Sequence, residues 1–168
     1  LGKNSSKVKI VSSFVTIENI NQLLSDNGIS GEVDLLSIDI DGNDYWVWGA
    51  INVINPRVVV MEYNASFGWD KSMTIKYSQN FDADKIEPIY HGASLSALKK
   101  LANAKGYVLV GCESHGIDAF FVRQDIARGK LIELEPTEAY YPHSERSKIM
   151  GSTEKQFEKI KNLDFDNV

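Results

Sequence analysis

Two short apolar runs, separated by one helical segment, constrain the fold of this chain more than any other feature. Residues 33–40 are apolar apart from Asp34, Ser37 and Asp39, and residues 57–63 have an apolar centre at residues 58–61. Continuous runs of this length are typical of strands buried on both faces of a parallel sheet. Between them, residues 41–44 predict a turn and residues 45–54 predict a helix that closes at Pro56. The sequence therefore predicts a strand–helix–strand unit and an α/β fold built on a largely parallel sheet.

The rest of the chain continues the alternation of strands and helices. In order, the sequence predicts an extended or strand-like lead-in over residues 8–15, a helix capped by Thr16 and ended by Asn27 and Gly28, a long loop over 64–92, a helix capped by Ser94 and stopped at Gly106, strands over 107–112 and 118–123, and a helix over 153–162. The turn at His115 and Gly116 is too short for a crossover helix, so the last two strands should form an antiparallel hairpin. We expect a single domain over residues 1–168, with its core over roughly residues 8–125 and a C-terminal extension over 126–168.

Composition excludes several classes of partner. The net charge is −5 and the basic residues are scattered, which argues against nucleic acid or an anionic membrane surface as the main partner. No apolar run approaches the ~20 residues of a membrane-spanning helix. Cys112 is the only cysteine, so an internal disulfide is impossible and a reducing, cytoplasmic location is expected.

Polar side chains follow both apolar runs, where ligands bind in open α/β sheets. Asp39 and Asp41 end the first run, and Glu62 and Asn64 end the second. If the two strands are neighbours, these four side chains converge at one edge of the sheet. Carboxylate and amide oxygens suit a hard cation such as Mg²⁺. The alternative is that Asp41 and Asn43 only form a turn and cap the next helix.

The D-x-D pattern at Asp39 and Asp41 occurs in several classes of site. An EF-hand loop is excluded, because the glycine comes too early and Ala50 stands where the bidentate glutamate belongs. A metal-dependent phosphatase of the haloacid-dehalogenase-like kind is similar, although Asn43 replaces its usual Thr or Val. A metal-dependent glycosyltransferase also uses D-x-D, but residues 1–32 are too few for its nucleotide-binding strands.

Four blocks in the same order resemble FkbM-type methyltransferases. Residues 34–44 read DLLSIDIDGND and are similar to the family's D-L-L-K-I-D-V-E-G-x-E. Residues 56–64 (PRVVVMEYN) resemble its next strand, residues 92–95 (GASL) and 105–107 (KGY) its late helix and following strand, and residues 118–122 (DAFFV) its final hairpin strand. The resemblance implies a three-layer, Rossmann-like class I methyltransferase fold with a mostly parallel sheet, of which these blocks are strands four to seven.

The resemblance also implies an O-methyltransferase that uses S-adenosylmethionine and acts on a hydroxyl of a small molecule or glycan. By analogy with related metal-dependent enzymes, Asp39 and Glu62 would hold Mg²⁺ with help from Asn64. His91, at the end of the long loop, is the candidate general base, and Asp41 is the second catalytic candidate.

The chain departs from the family before residue 33. Residues 1–32 contain no glycine-rich turn after a strand, so the cofactor-binding strands are expected to be missing and no cofactor-binding residue is assigned. The chain is then either part of a methyltransferase or a non-catalytic binding or pseudo-enzyme module. The missing strands would expose the edge of residues 33–40, so we expect that edge to pair with another copy or to be covered by residues 8–15.

Overall fold

A computed structural model describes residues 8–168 and contains seven helices and six strands in this part of the chain. In chain order they are α1 (Ile20–Asp26), β1 (Gly31–Ile38), α2 (Asp44–Ala50), β2 (Ile54–Glu62), β3 (Met73–Ile75), α3 (Leu95–Ala104), β4 (Tyr107–Cys112), β5 (Asp118–Arg123), α4 (Gln124–Ala127), α5 (Pro136–Ala139), α6 (Ser144–Met150), α7 (Thr153–Ile160) and β6 (Phe165–Asn167). Single 3-10 turns occur at Ala65–Phe67 and Ala83–Lys85.

The main sheet has four strands in the order β1-β2-β5-β4. Strands β1 and β2 are parallel, whereas β5 is antiparallel to both of its neighbours. The predicted C-terminal hairpin is confirmed, with β4 and β5 at the predicted residues. Because β5 is antiparallel to both β2 and β4, strands β1, β2 and β4 run in the same direction and only β5 of this sheet runs against them, as expected for a mostly parallel sheet with a C-terminal antiparallel hairpin.

The principal core lies on the face of the sheet that α1, α2 and α3 cover. Trp48 of α2 packs against Phe121 of β5, and Leu98 of α3 is fully buried in the same cluster. Helix α3 begins as predicted, because the Ser94 hydroxyl accepts a hydrogen bond from the Ala97 amide. On the opposite face Val108 and Val122 cluster with Ala127 of the short helix α4. The structure thus confirms a mixed α/β fold, and the three-layer, Rossmann-like class stays a prediction.

The structure of β1 and its surroundings contradicts two expectations from the sequence. The strand lies at the edge of the sheet, and only its last residue, Ile38, is buried, so burial on both faces was wrong. Residues 8–15 form no strand and pair with no part of β1, so they do not cover this edge. An apolar run alone cannot distinguish a central strand from an edge strand, because the partner comes from elsewhere in the chain.

The helix expected over residues 45–54 ends early, and the next strand begins early. Helix α2 stops at Ala50, and Asn55 and Pro56 belong to β2. Pro56 is compatible with the strand because pairing with β5 begins only at Val58. A proline near the start of a strand removes no required hydrogen bond.

The C-terminal extension packs against the long segment over residues 64–92. Strand β6 pairs with β3, and Ile160 of α7 joins Phe67 and Ile75 in a second apolar cluster. The buried Gln156 side chain accepts a hydrogen bond from Ser66. The extension therefore supplies the partners that order this segment and, through it, one wall of the cavity described next.

Candidate functional site

Three carboxylates come together at the carboxyl ends of the two parallel strands. Asp39 follows β1, Asp41 lies in the next turn, and Glu62 is the last residue of β2. One oxygen of each carboxylate lies within 4.8 Å of the others. The parallel register, which pairs Ile38 with Met61, causes this convergence because both strands end at the same level. The structure thus brings together Asp39, Asp41 and Glu62 of the residues predicted for the site.

The turn over residues 41–44 fixes the positions of the first two carboxylates. Asp41 has a positive φ of 53°, which aspartate tolerates better than most residues. The buried Asp44 carboxylate accepts hydrogen bonds from the Ile40 and Gly42 amides. A side chain at Gly42 would overlap the ring of Phe81, so the close approach of these two residues requires glycine. Asp44 therefore shapes the turn, whereas Asp39 and Asp41 remain exposed.

Glu62 carries the most perturbed carboxyl of the cluster. Burial, followed by the negative charges of Asp44, Asp39 and Asp41, raises the pKa of Glu62 to about 8 against the opposing effect of Arg146. The Glu62 side chain is 15% exposed. The ionised form of Glu62 is thus disfavoured until a positive charge enters the cluster.

Asn64, which the sequence predicts as a metal ligand, has a different role in the structure. Its amide group donates hydrogen bonds to the carbonyls of Ile89 and His91, and its oxygen accepts from the Ser66 amide and the Arg146 guanidinium. Both lone pairs of the oxygen are therefore in use. Asn64 holds the long segment against the end of β2, and Asp41 takes the third position in the acidic cluster.

Arg146 of α6 is the residue that sequence reasoning missed. Its guanidinium donates to Asn64 and to the Ser66 hydroxyl, and Nη2 lies 3.2 Å from Nε2 of His91. Nothing near Arg146 in the sequence signals this role, because its partners lie far away along the chain. The guanidinium brings a positive charge to the wall of the acidic cavity.

The contact with Arg146 determines which nitrogen of His91 carries the proton. A guanidinium can only donate, so Nε2 accepts and the proton of the neutral imidazole is on Nδ1. Nδ1 lies 3.8 Å from a Glu62 oxygen. Burial, together with smaller electrostatic contributions from Arg146 and His143, lowers the pKa of His91 to about 4. His91 lies beside the acidic cluster as predicted, but its basic nitrogen is occupied, so it fits the orientation of Glu62 better than general-base catalysis.

A cavity of about 680 Å³ opens beside the cluster. Its walls combine site residues with the end of the long loop, namely Phe14, Ile40, Asp41, Glu62, Asn80, Phe81, Asp82, Ala83, Asp84, Lys85, Pro88, His91 and Arg146. This volume is sufficient for a small organic molecule. The cavity can therefore place a ligand oxygen next to Asp41 and Glu62, the two carboxylates of the cluster that line it.

No helix in the described part of the chain is both long and apolar enough to cross a membrane. Comparisons with protein-family models, with curated proteins and with solved structures find no match to this chain.

Proposed function

We propose that this chain is the acceptor-binding part of an S-adenosylmethionine-dependent O-methyltransferase of the FkbM-like kind. In this proposal Asp39, Asp41 and Glu62 hold Mg²⁺, and the adjacent cavity holds a hydroxyl-bearing small molecule or glycan. The observation that carries the proposal is the convergence of the three carboxylates, within 4.8 Å, at the carboxyl ends of two neighbouring parallel strands.

The donor set fits a hard divalent cation. All three groups offer carboxylate oxygens, and Mg²⁺ prefers oxygen ligands while retaining several of its waters. The exposure of Asp39 and Asp41 leaves room for those waters and for a ligand oxygen. The buried Glu62 is protonated at neutral pH without a cation, since its pKa is about 8. Cation binding would therefore displace a proton from Glu62.

The chain's own residues then prepare an acceptor hydroxyl. A bound cation would lower the pKa of that hydroxyl. Arg146 holds the His91 imidazole, whose Nδ1 lies 3.8 Å from a Glu62 oxygen, and Asn64 keeps the loop carbonyls of Ile89 and His91 in place. Phe81 and the loop residues that follow it line the same cavity, so they would contact an acceptor bound there.

The residues described do not fit a site for S-adenosylmethionine. Such a site requires a glycine-rich turn between a strand and a helix, and the turn after β1 contains only Gly42. We therefore assign the methyl donor no residue on this chain and derive no step through it. The same observation favours a second candidate function, a binding module that recognises a hydroxylated ligand through the cation and does not catalyse transfer.

The cation site is tested by calorimetric titration of the chain with Mg²⁺ and with Mn²⁺ at pH 8. We expect binding to the wild type, and at least about tenfold weaker binding for Asp41→Asn because one of three charged ligands is lost. Asp70→Asn is the matched control, since Asp70 is an exposed aspartate that pairs with Lys71 and does not line the cavity. No binding of either cation to the folded protein, or equal affinities for the two variants, would contradict the proposal.

A second titration with S-adenosylhomocysteine, with and without Mg²⁺, separates the two candidate functions. Micromolar binding would favour the methyltransferase, because a cofactor site would then exist without the glycine-rich turn. Cation binding without any binding of S-adenosylhomocysteine would favour the binding module.

A further inference from the structure

We propose that two copies of this chain associate through β1, in an antiparallel arrangement centred on Leu35. This arrangement would join two four-stranded sheets into one continuous sheet. This edge adjoins the acidic cavity at Ile40, which lines the cavity, but the association requires neither a cation nor a ligand. A second copy would occupy the edge at which the proposed function places the missing cofactor-binding strands.

The outer side of β1 offers a regular row of backbone groups. The Gly31 amide donates to the Val53 carbonyl, so the odd-numbered residues of β1 direct their backbone groups toward β2. The even-numbered residues therefore direct theirs away from the sheet. The pairing of β1 with β2 keeps one register throughout, and β1 contains no proline or lysine that would discourage a new strand.

The side chains along this edge favour contact with an apolar surface. Leu35, at the middle of β1, is 58% exposed, and Ile29 and Ile40 beyond its two ends are 41% and 37% exposed. The two acidic residues of the strand, Glu32 and Asp34, form ion pairs with Arg123 and Arg57 of their own copy. The charges on the edge are thus already paired within one copy.

The charge pattern selects one register. With the two-fold axis at Leu35, each Leu35 lies opposite its symmetry mate and Asp34 lies opposite Leu36. Moving the axis to Asp34 places two aspartates opposite each other, and moving it to Val33 places Asp34 opposite Glu32. In a parallel pairing in register, each carboxylate would lie beside the same carboxylate of the second copy. Among the registers that avoid opposing like charges, the axis at Leu35 joins the longest part of β1, residues 32–38. It also pairs even-numbered residues with even-numbered residues, as the free backbone groups require.

A second copy is the occupant that this geometry fits, because a two-fold axis makes the same edge complementary to itself. Because both copies contribute the same strand, the two partners match in length and in the spacing of their charges. Leu35 forms a non-hydrogen-bonded pair across the axis, where opposing side chains approach most closely.

The experiment uses the whole chain and measures association by sedimentation equilibrium from 1 to 200 µM, roughly the range in which dimers of modest affinity dissociate. The wild type should dimerise, and Leu35→Lys should raise the dissociation constant at least about tenfold by placing two charges opposite each other. Ile149→Lys is the matched control, since Ile149 is 82% exposed on α6 and should leave dimerisation unchanged. A wild type that stays monomeric throughout, or a dimer unaffected by Leu35→Lys, would overturn the proposal.

Cross-linking tests the register. In a Cys112→Ser background, Leu35→Cys should form an intermolecular disulfide on mild oxidation, because the two residues meet at the axis. Asp34→Cys, which lies opposite Leu36 and not opposite itself, should cross-link at least about tenfold more slowly. Equal rates for the two variants, or faster cross-linking of Asp34→Cys, would refute the register.

Discussion

Replacing Glu62 with glutamine should stabilise this protein at alkaline pH, although it removes a residue of the proposed site. The reason is the position of Glu62 at the end of β2, where its side chain is 15% exposed and faces three other carboxylates. Its pKa is about 8 in the folded chain, against an ordinary value of 4.5. Below pH 4.5 the carboxyl is protonated in both the folded and unfolded states and does not affect the free energy of unfolding.

Between pH 4.5 and 8 the unfolded chain releases the Glu62 proton while the folded chain retains it, so the free energy of unfolding falls as pH rises. Above pH 8 both states are ionised and the full penalty persists. Since one pKa unit corresponds to about 1.4 kcal/mol, the penalty is about 1 kcal/mol at pH 5 and approaches 5 kcal/mol at pH 8.5, as an upper limit. Glutamine is uncharged, so Glu62→Gln should remove this penalty. The advantage of Glu62→Gln over the wild type should therefore grow by about 2–4 kcal/mol between these pH values.

The assay is urea denaturation at pH 5 and pH 8.5, with EDTA present and tryptophan fluorescence as the readout. Glu158→Gln is the matched control, because Glu158 is exposed on α7, pairs only with Lys161 and does not line the acidic cavity. Its effect should stay within about 0.5 kcal/mol at both pH values. The reasoning is refuted if Glu62→Gln shows the same difference from the wild type at pH 5 and pH 8.5, or is less stable at pH 8.5. Adding millimolar Mg²⁺ in place of EDTA should stabilise the wild type and leave Glu62→Gln nearly unchanged.

Three further predictions follow from neighbouring contacts. The His91 imidazole should titrate near pH 4 by NMR, and because unfolded histidine titrates near 6.5, up to about 3 kcal/mol of stability should be lost as pH falls from 6.5 to 4; a midpoint above 6 would contradict the buried neutral form. Asn64→Ala should lower the free energy of unfolding by at least about 3 kcal/mol in urea denaturation, since it removes four hydrogen bonds at a buried position; a loss under about 1 kcal/mol would show that water replaces them. Gly42→Ala should cost about 1–3 kcal/mol because the new methyl group overlaps Phe81, whereas Gly111→Ala, where nothing lies within 4 Å, should cost little; equal thermal stabilities of the two variants would refute the steric argument.

Local signals in the sequence were sufficient for much of the fold. The ends of α3 were predictable from Ser94 and Gly106, because a hydroxyl cap and a glycine stop affect only the few residues next to them. The hairpin of β4 and β5 was predictable because residues 113–117, which connect the two strands, are too few for a crossover helix. In each case the determining interactions lie within the segment that carries the signal.

Expectations failed where the partner of a segment lies far away in sequence. The apolar pattern of residues 33–40 indicated burial on both faces, whereas only Ile38 of β1 is buried. Pro56 was interpreted as a helix stop, because the sequence does not show that β5 pairs with β2 only from Val58 onward.

The candidate site shows the same division. The convergence of Asp39 and Glu62 followed from two adjacent strands, and the structure agrees with it. The hydrogen bonds that occupy the oxygen of Asn64, and the contact between Arg146 and His91, depend on how α6 docks after the sheet has formed. Tertiary contacts of this kind carry no local signature in a single sequence.

The docking of the C-terminal extension has a consequence for the smallest functional fragment. A chain cut near residue 125 would keep every strand of the main sheet. It would nevertheless lose β6, the only strand that pairs with β3 among the described residues, together with the Gln156 amide that meets Ser66 and the Arg146 guanidinium beside His91. The fragment sufficient to form the sheet and the fragment sufficient to form the cavity therefore end at different residues, and a ligand that fills the cavity should protect the extension from proteolysis.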